Sequence, residues 1–296
     1  MAPCRQFGHR LAAWRSFPHR LAMAAVICCI WAILPARAND RWSCGSGAYR
    51  VAVTDSDVTA GAAQPSNGAA GPTFSARAFA SIGFDAERKA FGPGDNASLS
   101  MERKFSVVSL VGPWLALRDE AYIDASGTAH PGGETRFWTV DLRRSGAWNL
   151  SADDPFTAVQ VPDGRLLFLQ QLFPASEIRT KLAADPFVRR AVHSSETTLD
   201  DLLQDFAEQS DAIQDVCFSV PDDLMSRFAI LGAQGPDAVV RIGLPGAGPC
   251  RYNLTQLGLL LHPQAPADGA LASALSHACR PPAGLPPVTV RLPIQH

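Results

Sequence analysis

Three observations in the sequence predict an α+β fold with a mostly antiparallel sheet. Phe105 to Trp148 holds three apolar runs of strand character, joined by polar turns at Gly112-Pro113 and Asp124–Gly133, the pattern of a meander. Residues 174–208 show helical spacing instead, and strand-like runs return from Val216 onward. Strands, then helices, then strands is the order of an α+β protein. The expected architecture is a central meander covered by helices from the middle of the chain.

Residues 1–38 read as a secretory signal peptide. Arg5, Arg10, Arg15 and Arg20 precede the apolar run Leu21–Leu34, and Ala36-Arg37-Ala38 forms a small-x-small cleavage site. That run has about 14 residues, short of the roughly 20 that a membrane span needs. An uncleaved anchor is the alternative, because the basic leader is long. Cleavage would leave no membrane span.

The leader also sets the charge. The chain has 26 basic and 28 acidic residues, and five of the arginines lie in the leader. The expected mature chain therefore carries 21 basic and 28 acidic residues, near −7. This argues against nucleic acid, whose phosphates require a basic stripe. Cys4, Cys28 and Cys29 leave with the leader, and Cys44, Cys217, Cys250 and Cys279 remain. An even number of cysteines on an exported chain predicts two disulfides and a periplasmic or secreted location. Three pairings are possible. The short loop from Cys250 to Cys279 favours Cys44–Cys217 with Cys250–Cys279. No C-x-x-C pair supports a zinc site, and no cofactor or metal is expected.

Tyr49, Val51 and Val53 alternate with Arg50 and Ala52 as a half-buried strand. Residues 54–72, rich in Gly, Ala and Ser, read as a loop. Residues 73–91, with Phe74, Phe79, Ile82 and Phe84, fit a strand or a poor helix. A turn is expected at Gly92–Asn96. The meander follows, with Arg118, Asp119 and Glu120 in its second strand, a trio expected on an exposed face or a bulge. In its third strand Phe137 and Trp138 point to opposite faces. Ile178 and Leu182 begin the helical part, and Asp185-Pro186 interrupts it. Leu199, Leu202, Leu203 and Phe206 make an amphipathic stripe behind a Thr197 or Thr198 cap. Val216–Val220 is an expected strand, and Phe228–Leu231 with Ala238–Leu244 an expected hairpin. Leu254–Leu261 is too uniform to assign by period. Ala270–Ala278 is a short helix, Pro281–Pro287 a stiff connector, and Val288–Leu292 a last strand.

At Gly127-Thr128-Ala129-His130-Pro131, after Tyr122, the sequence resembles an extracytoplasmic module of unknown function. That module is shared by the lysozyme-sensing anti-sigma factor RsiV and the peptidoglycan deacetylase PdaC, where it lies outside the deacetylase domain. Thr139, Asp141, Leu142 and Gly146 match the strand and turn that follow in that family. Phe218, Pro221, Asp222 and Leu224 match its late strand. The likeness spans roughly Tyr49 to Leu244. It implies a module over residues 39–244, with residues 245–296 as a Pro-rich extension packed on it. It also implies an envelope binding role toward lysozyme or a glycan, and it transfers no catalytic residue. The family's Tyr- and Gly-rich segment after the late strand is not recognisable here.

The candidate ligand-binding residues are His130, Tyr122, Trp138 and Glu120. His130 sits among Gly127, Gly132 and Gly133, where backbone can approach a ligand; the plainer reading is an imidazole bonded to its own loop. Glu120 and Asp124 share one strand face and Asp119 takes the other, the plainer state being a solvated face. Either Phe137 or Trp138 is expected to keep an exposed face as an aromatic anchor. No G-x-S-x-G elbow exists, and His193-Ser194-Ser195-Glu196 reads as loop and cap. The expectation is a non-enzymatic binding module of the cell envelope that contacts lysozyme or peptidoglycan. The alternatives are a hydrolase of envelope polymers using His130 with Glu120 and Asp124, and a structural envelope protein without a ligand.

Overall fold

The structure, a computed structural model, describes residues 40–63, 74–95, 99–125, 131–151, 158–161, 164–193, 197–212, 217–247, 250, 252–264 and 267–291. The leader and residues 126–130, His130 among them, lie outside these residues. From Asn39 onward the chain forms one unit, a mixed α+β fold dominated by antiparallel sheet.

Three sheets build it. The first is a meander of β1 (Trp42–Ser46), β2 (Tyr49–Val53), β3 (Val58–Ala62) and β4 (Phe74–Ser75). The central sheet has the order β11-β5-β6-β7, from β5 (Leu99–Val111), β6 (Trp114–Ala125), β7 (Gly132–Asp141) and β11 (Val288–Arg291). The third has the order β10-β9-β8, from β8 (Phe228–Gln234), β9 (Asp237–Pro245) and β10 (Leu254–Leu261). Among the described residues the helices are α1 (Ala76–Asp95), α2 (Ala175–Ala184), α3 (Leu199–Ala212) and α4 (Ala267–Leu275).

The expected meander is the centre of the fold, but its helical cover is different. Phe79 of α1 packs its ring 6.1 Å from both Phe105 and Trp138. The mid-chain helices α2 and α3 instead pack on each other, and α2 lies on β10. The reason is legible in α1 afterwards. Its buried residues are Ala76, Phe79, Ala80, Gly83, Phe84 and Glu87, a stripe at three- and four-residue spacing. Half of that stripe is made of small residues, and Ile82, the residue that blurred the period, is exposed. The helix continues to Asp95, where a turn was expected.

Two further expectations change. Within the predicted loop 54–72, Val58 and Ala60 are buried in β3; alanine and glycine alternate there without a hydropathy signal. Residues 217–220 form no strand: Ser219 N–H donates to the carbonyl of Pro245, the last residue of β9, at 2.9 Å, but no ladder follows. Elsewhere the expected hairpin is β8–β9, and the uniform run Leu254–Leu261 is β10. Thr198 caps α3 reciprocally: its hydroxyl accepts from the Asp201 N–H at 3.1 Å, and the Asp201 carboxylate accepts from the Thr198 N–H at 3.2 Å.

The supposed C-terminal extension is not an appendage. Its boundary at 244/245 falls inside β9, β10 pairs with β9 along eight residues, and β11 completes the central sheet beside β5. The disulfides are Cys44–Cys279 and Cys217–Cys250, neither of the favoured pairs. Proximity in sequence misled here. Cys279 exchanges two backbone hydrogen bonds with Leu110, near the β5–β6 turn. Cys250 lies two residues from Tyr252, which stands beside Tyr122 near the other end of β6. Leu115, the partner of Leu110, and Tyr122 are separated by roughly 23 Å of extended strand.

Candidate ligand groove

The central sheet has two faces that alternate along every strand. One face carries Met101, Arg103, Phe105, Asp119, Arg136 and Trp138, and all of these are buried. Asp119, expected on a surface, has no exposed area at all. It accepts from Arg103 Nε at 3.2 Å and from Trp138 Nε1 at 3.0 Å, and it also binds the Arg103 Nη2. The Arg103 guanidinium lies 4.9 Å from the Phe79 ring. Beside this pair Arg136 binds Glu134, and Glu134 and Asp223 both bind Arg227. Burial pushes the Arg136 pKa down to about 10, while the Glu134 carboxylate opposes the shift. It remains a cation at neutral pH. A buried charge is tolerated only when paired and hydrogen-bonded in this way.

The opposite face is divided. At one end the third sheet covers it. Ser109 Oγ donates to the Ile230 carbonyl, Thr139 Oγ donates to the Phe228 carbonyl at 2.7 Å, and Ala116, Phe137 and Ala229 form a small apolar cluster. At the other end the third sheet withdraws, and a groove of about 570 Å³ opens over the exposed residues. That volume is within the roughly 300–1,000 Å³ of small-ligand sites.

The strand register determines the groove floor. One row across the sheet reads Arg291, Glu102, Tyr122, Gly133, and the next reads Thr289, Lys104, Glu120, Thr135. Tyr252 forms the wall. It lies within the β9–β10 connection, where Gly246 N–H donates to the Asn253 carbonyl at 2.9 Å and the Cys217–Cys250 disulfide ties the turn down. Thr135 Oγ donates to the Tyr252 carbonyl at 3.3 Å. The Tyr252 ring lies over Gly133, where any Cβ would collide with it. Its centroid is 6.5 Å from that of Tyr122 and the two rings are nearly parallel, at 22°. Tyr252 is 45% exposed, one of the few large apolar side chains so open among the described residues.

Ion pairs lace the floor. Arg291 Nε donates to Glu102 at 2.6 Å, Lys104 Nζ lies 3.2 Å from the same carboxylate, and Arg118 lies 3.1 Å from Glu120. The hydrogen bond from Arg291, with Lys104 beside it, holds the Glu102 carboxyl below the usual glutamate range against the opposing effect of burial. Partial desolvation, with Asp124 nearby, raises the Tyr122 phenol.

Of the four predicted ligand residues, the structure brings two together: Glu120 and Tyr122 both line the groove. Trp138 is not with them. It is 1% exposed, on the reverse face, with its indole N–H committed to Asp119. Phe137 is buried too, under the third sheet, so neither ring of that pair keeps the expected exposed face. His130 lies outside the described residues. Asp124 is exposed at the end of β6, on the face the period assigned it. Sequence reasoning missed Glu102, Lys104, Tyr252 and Arg291. The alternation Glu102-Arg103-Lys104 was a usable signal for the first two; nothing local marked the others. Asn149 is buried and exchanges hydrogen bonds with Leu166 through its side-chain amide.

Comparison of the chain with protein-family models, with characterised proteins and with solved structures finds no match. No helix among the described residues is long and apolar enough to cross a membrane.

Proposed function

We propose that this protein is an exported, non-enzymatic binding module of the cell envelope and that the groove between Tyr122 and Tyr252 takes its ligand. The observation that carries the reading is the groove itself: a half-uncovered sheet face with two near-parallel tyrosines at one end and a row of hydrogen-bonding ions along its floor. Aromatic rings with a wet polar edge are good contact surfaces for sugars and proteins. Glu102 is held ionised by two cations, which makes it an acceptor of hydrogen bonds rather than an acid. The basic leader and the two disulfides support export to the periplasm or beyond.

A glycan such as peptidoglycan is the first reading. A lysozyme-like protein is the second, favoured by the acidic balance of the chain without its leader and by the resemblance to the RsiV and PdaC module. Retention of the purified protein on insoluble peptidoglycan and on immobilised lysozyme tests the proposal. Retention on at least one, lost in Tyr252→Ala, is expected. Passage of the native protein through both unretained would refute it.

A further inference from the structure

We infer that the groove takes an uncharged saccharide segment: its fixed charges are already matched to one another, and what it offers a ligand is two tyrosine faces and spare hydrogen-bonding positions. The inference rests on the proposed binding role and deepens it.

Among the described residues the charge count around the groove closes. Glu102, Glu120 and Asp124 stand against Lys104, Arg118 and Arg291. Glu102 is held by Arg291 and Lys104 through its two different oxygens, and Glu120 by Arg118. An anionic ligand that bound Arg291 or Lys104 would take a cation from Glu102. A cationic ligand that bound Glu102 would displace the same partners. Either exchange swaps one ion pair for another and leaves one half-made, so it supplies little net affinity.

A neutral polyol avoids that exchange. A carboxylate has about four lone-pair positions, and an ammonium has three donors. Glu102 uses one position on each oxygen and Lys104 uses one N–H for their pairing. The remaining positions point to hydroxyl and amide groups, which donate and accept without carrying charge. Hydrogen bonds to ionised groups are the stronger kind, so such contacts give orientation while the ion row stays intact. The tyrosines complete the match. Sugar rings carry an apolar C–H face beside their hydroxyls, and Tyr122 and Tyr252 present apolar ring faces next to phenol groups. Gly133 contributes by having no side chain, which lets the Tyr252 ring settle on the floor. The second cavity, of about 500 Å³ beside α3, is rimmed by Asp200, Glu208 and Asp222, with no lysine or arginine in its lining, and so lacks this balance.

The test is calorimetric titration of the purified protein with three probes: a neutral tetramer of N-acetylglucosamine, its fully deacetylated cationic counterpart, and an anionic oligogalacturonate. Each is titrated at about 50 mM and about 500 mM NaCl, which spans strong and weak screening. The neutral tetramer is expected to bind, with affinity changing by less than about threefold between the two salts. Tyr252→Ala is expected to weaken it at least about tenfold. Gly133→Ala, which displaces the same ring from a different residue, should do likewise, with an unchanged far-UV circular dichroism spectrum in both variants. Preference for a charged probe with steep salt dependence overturns the inference and leaves the binding module standing. So does absence of binding by every oligosaccharide when retention on peptidoglycan or lysozyme is still lost in Tyr252→Ala. Retention that survives in Tyr252→Ala removes the groove and the inference together.

Discussion

Glu102, Arg103 and Lys104 are consecutive residues of one strand, and Asp119 and Glu120 are consecutive in the next, yet they belong to two different electrostatic regions. Arg103 and Asp119 point inward and form a dry pair capped by an indole N–H. Glu102, Lys104 and Glu120 point outward and form a wet row with Arg118 and Arg291. The chemistry of the groups is the same and the solvation is opposite. The buried array holds β5, β6 and β7 in register under α1, because a one-residue slip would turn every member to the wrong face. The exposed row contributes little to stability and leaves its hydrogen-bonding capacity available to a ligand.

The largest test of this contrast is Asp119→Ala. It removes the carboxylate that pairs with Arg103 in the core, and the expected loss is about 3–5 kcal/mol in urea unfolding. Glu102→Gln, one register row away on the other face, should cost under about 1 kcal/mol. Comparable losses in the two variants would erase the distinction.

Replacing Cys217 and Cys250 together by Ser comes next. The 33-residue separation of that pair places its expected contribution at about 2–4 kcal/mol. Ligand retention should fall as well, since the bridge restrains the turn that carries Tyr252. Loss of stability with full retention would separate the disulfide from the groove.

Thr139→Val probes the covered end of the groove-bearing face. It removes the donor to the Phe228 carbonyl and leaves a buried acceptor, with an expected cost of about 1–3 kcal/mol by thermal or urea melts. Tyr252→Ala at the uncovered end should stay within about 0.5 kcal/mol of the native protein while losing the ligand. A large stability loss in Tyr252→Ala would make that ring a packing residue instead.

The smallest effect concerns pH. Arg291 and Lys104 hold the Glu102 carboxyl below 4.5. A lowered carboxyl pKa contributes stability that is fully present above the unfolded value and is lost as pH falls through the folded value. The ion row should therefore weaken only at a pH below the ordinary glutamate range. Carbon-detected NMR titration of Glu102 should show this midpoint rising toward 4.5 in Arg291→Ala. An unchanged midpoint would mean that Arg291 does not hold the carboxylate.

How much of this was legible beforehand follows from the range of the interactions. The meander, the α3 stripe and its threonine cap are local patterns, and the structure contains them where the residues placed them. The strand period put Glu120 with Asp124 and apart from Asp119, which is also what folds. It did not say which face is dry, because that depends on α1, whose stripe of Phe79, Phe84 and Glu87 is interleaved with alanine and glycine. The aromatic signal pointed to Trp138 when the exposed ring is Tyr252. Both rings read as amphipathic anchors in isolation, and only the helix packed over one of them tells them apart.

By itself the sequence determined the alternation of faces, the antiparallel class and the presence of paired cysteines, since these depend on neighbours a few residues away and on composition. The tertiary structure decided the disulfide partners, the placement of the last strand and the groove. Glu102 and Arg291, which close one end of the groove floor, are 189 residues apart in the chain. Contacts at that separation are selected by which sheet faces find a partner and which are left open to water, and no short-range pattern encodes that outcome.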